Sequence, residues 1–249
     1  MPRLFFLLNK HKRGNQMDIR KQNGSSAVRK PFSTQTVVGI AVFSALAFVV
    51  SLLIRVPVQF LTFDAKDAII AITAFIYGPI TAPIISFFAA FIELVTISDT
   101  GWYGFLMNFV SSATYSLVAS LIYSKFRSLN GALVGIYSAV VITTSAMLGL
   151  NILITPIYMR EFLGVPMTAD GVINMIPTIL LPFNFAKTLM NSAVVMLLYK
   201  PVTLSLSRVG LLSKKTSAKI SRGTVVIIAA GVISLVLAIV IFTLLSSGA

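Results

Sequence analysis

"AIIAITAFIYGPITAPIISFFAAFIELVTI", Ala68 to Ile97, decides how this chain is threaded. As one α-helix its 30 residues would reach about 45 Å, well beyond the ~30 Å hydrocarbon core of a bilayer. "YGPIT", Tyr77 to Thr81, interrupts it in the middle. Gly-Pro is a turn signal, and the residue before a proline is biased out of the helical region. The stretch reads as two short helices or as one kinked helix.

The surrounding sequence has the composition of a membrane protein. Of 249 residues, 57% are hydrophobic and 11% charged, and mean hydropathy is +0.93, which excludes an ordinary soluble globular domain. Further apolar runs predict helices over 36–54, 103–123, 131–157, 177–199 and 224–246. The net charge of +13 is concentrated: eight basic residues precede Phe32, and six more lie between Lys200 and Arg222 with no acid among them. Such clusters beside apolar spans set topology and meet anionic lipid headgroups, so no nucleic-acid partner is expected. Cysteine is absent, which excludes disulfides and thiolate metal sites. "LFFLL", Leu4 to Leu8, is too short for a signal-peptide core and lacks a small-residue cleavage site after it. The tail is expected to be retained, or to precede a start at Met17.

Charge then chooses between the two readings of the decisive stretch. With the basic tail in the cytoplasm, a single crossing by 68–97 leaves the six cations of 200–222 outside; two crossings bring them, and Lys125 and Arg127, inside. Two crossings obey the positive-inside rule except at the isolated Arg55, Lys66 and Arg160. The expected fold is all-α, a polytopic membrane protein with six core helices at 36–54, 65–77, 80–97, 103–123, 131–157 and 177–199. A seventh follows at 224–246. The chain divides into a basic cytoplasmic tail (1–33), a six-helix membrane domain (34–204), a basic cytoplasmic loop (205–223) and an additional helix with a short tail (224–249). Beyond Ser234 and Thr243 that last helix carries no strongly polar side chain, so it reads as a lipid-facing anchor.

The functional signal lies in polar residues placed at depth. In "LLPFNFAKTLMN", Leu180 to Asn191, Lys187 would cost roughly 2.5–3.5 kcal/mol in a bilayer without a partner. Asn184 and Lys187 are three apart and share a helix face, and Pro182 loosens the backbone beside them. On the assigned topology they occupy the outer half of the sixth helix, and Asn151 the outer half of the fifth, so all three could line one cavity open to the outside. Asn108 lies on a further helix. Amides offer a donor and an acceptor, which suits a flat heterocycle of alternating C=O and N–H groups or the hydroxyls of a sugar-like tail; the lysine can donate to those hydroxyls or neutralise a carboxylate. Helix-to-helix hydrogen bonding is the ordinary alternative for any one amide, and snorkelling for the lysine. "LTFDAKD", Leu61 to Asp67, reads either as a gate over the cavity or as helix capping by Asp64 or Asp67. Glu93 can reach the interface or pair with a cation such as Lys187. Trp102, Tyr103 and Phe105 suit an aromatic belt better than a wall for a flat ring.

Catalysis has few candidates. There is no Gly-Lys dipeptide and hence no P-loop, no H-E-x-x-H and no G-x-S-x-G, and His11 in the tail is the only histidine. No catalytic residue, metal site or cofactor is expected, and the chain is not read as an enzyme. Binding and transport remain.

"FDAKDAIIAITAFIYGP", "GWYGFLMNFV", "NILITPIY" and "LLPFNFAK", in this order and at these separations, resemble the substrate-binding S components of energy-coupling factor (ECF) vitamin transporters, most closely the riboflavin-specific ones. The resemblance runs from about Thr36 to Tyr199 and does not include the long basic head or the seventh helix. It implies a subunit of a bacterial plasma membrane, its N-terminus cytoplasmic, that captures a vitamin from outside and associates with a transmembrane coupling subunit and two ATP-binding subunits. Riboflavin is then the expected ligand, held by Asn151, Asn184 and Lys187, with Tyr158 of the same "N…P.Y" motif, Asn108 and Glu93 nearby. The covering loop between the first two helices falls at Leu61, Thr62 and Phe63. A first-helix docking surface falls at Ala41 and Ala45, an A-x-x-x-A pattern whose small side chains let another helix approach. The rivals are another vitamin or precursor as cargo, and a non-transport assembly protein whose amides join helices. On the riboflavin reading, Asn184 and Lys187 stay at depth because the ligand supplies their partners.

Overall fold

Gly78 settles the decisive stretch. Its φ of 106° and ψ of 161° lie in a region that is almost exclusive to glycine. Its N–H closes one helix on Ala74 O, and both the N–H and the hydroxyl of Thr81 return to Gly78 O, at 3.1 and 2.7 Å. Lys66, where the first of these helices begins, is ion-paired at 3.0 Å to Glu93 near the end of the second. The stretch is therefore an antiparallel helical pair.

The computed structural model describes residues 33–58, 60–126, 128–208 and 222–247. The basic tail, with His11 and Met17, and residues 209–221 of the basic loop lie outside them. Along the chain run α1 (Thr34–Leu53), a hairpin of β1 (Arg55–Val58) and β2 (Leu61–Asp64), α2 (Lys66–Tyr77), α3 (Thr81–Thr96), α4 (Gly101–Lys125) and α5 (Leu129–Phe162). After these come the short α6 (Ala169–Asn174), a π-helical turn (Ile176–Leu180), α7 (Leu181–Arg208) and α8 (Arg222–Ser247). Every predicted span is present. The hairpin was not anticipated; it pairs Arg55 with Asp64 and Val58 with Leu61 in antiparallel register.

At 12 residues α2 is only about 18 Å long, too short to cross a bilayer unaided. It has no need to meet lipid, because Lys66 through Ala74 are all buried. Ile69, Ile70 and Ala74 pack on Ile40, Phe43 and Ala47 of α1 and on Ala82, Ile85 and Ala89 of α3. Ala68, Ala71 and Ile72 share a second core with Tyr115, Ala119, Val140, Leu189 and Met196. A helix apolar on every side belongs at the centre of a bundle. Around it, α1, α4, α5, α7 with its preceding turn, and α8 are long and apolar enough to span a membrane.

The seventh predicted span is more than an anchor. One face of α8 is exposed and aliphatic, at Val225, Ile233, Val236 and Val240. The other packs antiparallel on α7: a Cβ on Gly231 would lie 3.1 Å from Met196, Ala238 is fully buried, and the Ser234 hydroxyl bonds Tyr137 of α5 at 3.0 Å.

Gly78 also isolates a backbone cost, since a Cβ there would meet nothing within 4 Å. Gly78→Ala is expected to destabilise the protein by about 1–3 kcal/mol through φ/ψ strain alone, read as a lower thermal midpoint in detergent.

Candidate functional site

At one end of the bundle, the hairpin, the C-terminal ends of α3 and α5 and the N-terminal ends of α4 and α7 enclose a cavity of about 980 Å³ including its mouth. Several signals converge here. The π-helical turn, with Pro177 near its start, closes Leu180 N–H on Met175 O at 3.0 Å and feeds directly into the face of α7 that lines the cavity. Such turns recur at functional sites because they re-aim the side chains that follow. The local loosening expected at Pro182 is in this turn; Pro182 itself sits inside the first turn of α7, where its missing N–H costs nothing.

A buried ionic cluster forms the floor. Asp64 Oδ2 accepts from Lys187 Nζ at 3.0 Å and from Lys66 Nζ at 3.1 Å, while its Oδ1 accepts the Lys66 backbone N–H at 3.2 Å. Lys66 also reaches Glu93 at 3.0 Å, and Glu93 Oε2 accepts from the Asn108 amide at 3.2 Å. Asp64, Lys66, Asp67, Glu93 and Lys187 are each 5% exposed or less. Burial alone would raise the Asp64 carboxyl, but Lys187 and Lys66 reverse that and hold it below the usual carboxylate range. Asp67 takes the Ser112 hydroxyl on Oδ1 and leaves Oδ2 without a hydrogen-bond partner.

The sequence expectation of a Lys187–Glu93 pair is thus corrected: Glu93 belongs to Lys66, and Lys187 to Asp64. The offset for Lys187 at depth comes from the protein itself, not from a ligand. Two of the three cations that broke the positive-inside pattern are also paired, Lys66 in the cluster and Arg55 with Asp99 at 3.3 Å and Ile97 O at 3.0 Å. Asp64 takes the Lys66 N–H and bridges two lysines, but the N-cap position of α2 is Ala65 and has no side-chain cap bond, so "LTFDAKD" is an ionic bridge rather than a simple cap.

Asn151, Asn184, Lys187, Thr62, Leu61, Asn108, Tyr158 and Glu93 all line the cavity. Phe63 does not. Its ring is buried against Phe242 of α8 at 4.9 Å. Tyr103 and Phe105 line the cavity, whereas Trp102 is 68% exposed and lies apart from it. Ala41 and Ala45 are exposed on α1, opposite its buried face of Ile40, Phe43, Ser44 and Ala47.

The amides hold their orientation through their own helices. Asn151 donates to Met147 O and Asn184 to Leu180 O, both at 2.7 Å, and Thr155 donates to Asn151 Oδ1 at 2.9 Å. A carbonyl partner requires the NH₂ end, so the Asn184 oxygen is the end left toward the cavity, while the Asn151 oxygen already accepts from Thr155. Two amides join elements: Asn108 of α4 donates to Glu93 of α3, and Asn191 donates to Asp64 O at 3.2 Å and accepts from Ala68 N–H at 2.9 Å. Sequence reading missed Asn191, although 184, 187 and 191 share one helical face. It also missed the central part played by Asp64 and Lys66.

Residues 35–199 match the family model for the substrate-specific component of ECF transporters. The riboflavin transporter RibU of Staphylococcus aureus (strain TCH60) is 28% identical over 176 residues, covering 68% of this chain and 91% of that protein. The solved S component of a bacterial ECF transporter superposes with a TM-score of 0.57 at 25% identity, over 69% of this chain and 96% of that one.

Asp64→Asn would leave Lys66 with Glu93 alone and take from Lys187 its carboxylate partner. Breaking a buried pair in this way is expected to cost about 3–5 kcal/mol, measured by thermal unfolding of the purified protein. Adding Lys187→Met is expected to restore part of the loss, since the stranded charge is then gone.

Proposed function

This chain belongs to the family of ECF transporter substrate-specific components, and from that premise we propose that it captures riboflavin from outside the cell for import. The observation that carries this reading is the orientation of Asn151 and Asn184, which bond within their own helices and face the cavity. Amides serving only to join helices would bond across them, as Asn191 does. The Asn184 oxygen, and the second lone pair of the Asn151 oxygen beside its Thr155 bond, suit a ligand rich in donors, such as a polyol chain and a ring N–H. Tyr103, Phe105 and Tyr158 supply ring surfaces for a flat heterocycle.

Charge favours this vitamin over an acidic one. Lys66 and Lys187 are already answered by Asp64 and Glu93. An anionic ligand would have to displace a carboxylate from its lysine, whereas an uncharged one leaves the cluster intact. The 28% identity to a riboflavin transporter points the same way. On this reading the hairpin residues Leu61 and Thr62 cover the ligand, and Asn108, Glu93 and Tyr158 complete the wall. The pocket end faces outward and the N-terminus inward. Protein purified from riboflavin-supplemented cells is expected to be yellow, with flavin absorbance surviving detergent washing; a colourless protein that takes up no added riboflavin would refute the vitamin assignment.

The energy comes from partners. A transmembrane coupling subunit docks on the exposed face of α1 at Ala41 and Ala45, and two ATP-binding subunits drive release inward. Small residues four apart permit close helix approach. Ala45→Trp is expected to abolish co-purification with the coupling subunit and riboflavin uptake while leaving riboflavin affinity unchanged, and normal uptake by that variant would overturn the docking assignment.

A further inference from the structure

The helix that lies beyond the family match reaches the hairpin over the cavity. On α8, Gly231, Ser234, Ala238 and Phe242 follow one another at spacings of three, four and four, a single stripe down the helix. The first three seat it on α7 and α5 as described above. The fourth ends the stripe with a ring in contact with two others: Phe63 of β2 at 4.9 Å, edge to face, and Phe183 of α7 at 6.1 Å, also edge to face. Phe63 is 5% exposed and Phe183 3%, and Phe183 lines the cavity beside Asn184.

Three ties therefore fasten β2 to α7. Two are polar, Asp64 to Lys187 at 3.0 Å and the Asp64 carbonyl to the Asn191 amide at 3.2 Å. The third is apolar and runs through another element, Phe63 to Phe242 to Phe183. Edge-to-face ring pairs stabilise by more than their buried area, and their geometry fixes position as well as proximity. The matched family region ends at residue 199, so this apolar tie is contributed by a part of the chain outside it.

We propose that Phe242 is a positioning residue for the substrate site: α8 braces the hairpin against the cavity mouth and slows escape of the bound ligand. The inference rests on the covering role given to the hairpin above. Removing the ring should loosen β2 while replacing no residue that lines the cavity, so the effect should fall on dissociation more than on association.

Two measurements on the full-length protein test this. Hydrogen exchange in the ligand-free protein should show the amides of 55–64 exchanging faster in Phe242→Ala than in wild type, with α4 and α5 unchanged, while Phe242→Tyr restores wild-type exchange. Riboflavin dissociation, followed by recovery of flavin fluorescence, should accelerate by roughly three- to tenfold in Phe242→Ala. Phe63→Ala should do the same, and the double variant should add little to either. Leu237→Ala, on the lipid-facing side of α8 and 45% exposed, should leave both readings unchanged. Unchanged hairpin exchange in Phe242→Ala, equal loosening by Leu237→Ala, or full additivity with Phe63→Ala would each overturn the brace. Failure of wild type to bind riboflavin would refute the vitamin assignment, and the exchange experiment would still decide this one.

Discussion

A carboxylate held between two ammonium groups organises this protein. Asp64 sits at the end of β2, and its Oδ2 touches lysines from α2 and α7 at 3.0–3.1 Å. None of the three is affordable alone in an apolar interior, so each dictates where the others must be. The hairpin is drawn onto the mouth of the bundle, α2 is pinned at its N-terminal end, and α7 is rotated so that the Asn184 face meets the cavity. Asn191, one turn beyond Lys187, repeats the tie with the Asp64 carbonyl.

The same arrangement gives the site its chemical character. Polar side chains buried in membrane helices usually serve either a ligand or a joint between helices. The charges, Asn108 and Asn191 make the joint. Asn151 and Asn184 are oriented by carbonyls of their own helices and line the cavity, with the Asn184 oxygen free of a protein donor. The wall is polar, ringed by aromatic surface and electrically closed, which sets it apart from sites built to hold an acid.

The spans were legible in the sequence because bilayer thickness leaves few alternatives for an apolar run, and Gly78-Pro79 was legible because few residue pairs reverse a chain so cheaply. "RVPV" and "LTFD" were not: four residues are too few to display a period of two, and the connection lacks the glycine or asparagine that marks a tight hairpin. Asn151, Asn184 and Lys187 stood out as polar residues among apolar ones. The identity of Lys187's partner did not, since Asp64 and Glu93 were equally available along the chain and only the packing separates them. Phe63 was misread for a related reason. Its neighbours Leu61 and Thr62 line the cavity, but the Phe63 ring packs on Phe242 of α8, a helix that lies far along the chain.

The sequence distances within the ionic cluster bear on how the protein is made. Lys66 meets Asp64 two residues away and Glu93 27 residues on, whereas the second cation of the cluster, Lys187, lies 123 residues beyond Asp64. Until α7 is synthesised, the early segments hold three acids, Asp64, Asp67 and Glu93, against the single Lys66. The cluster is therefore completed only by the last helix of the matched region.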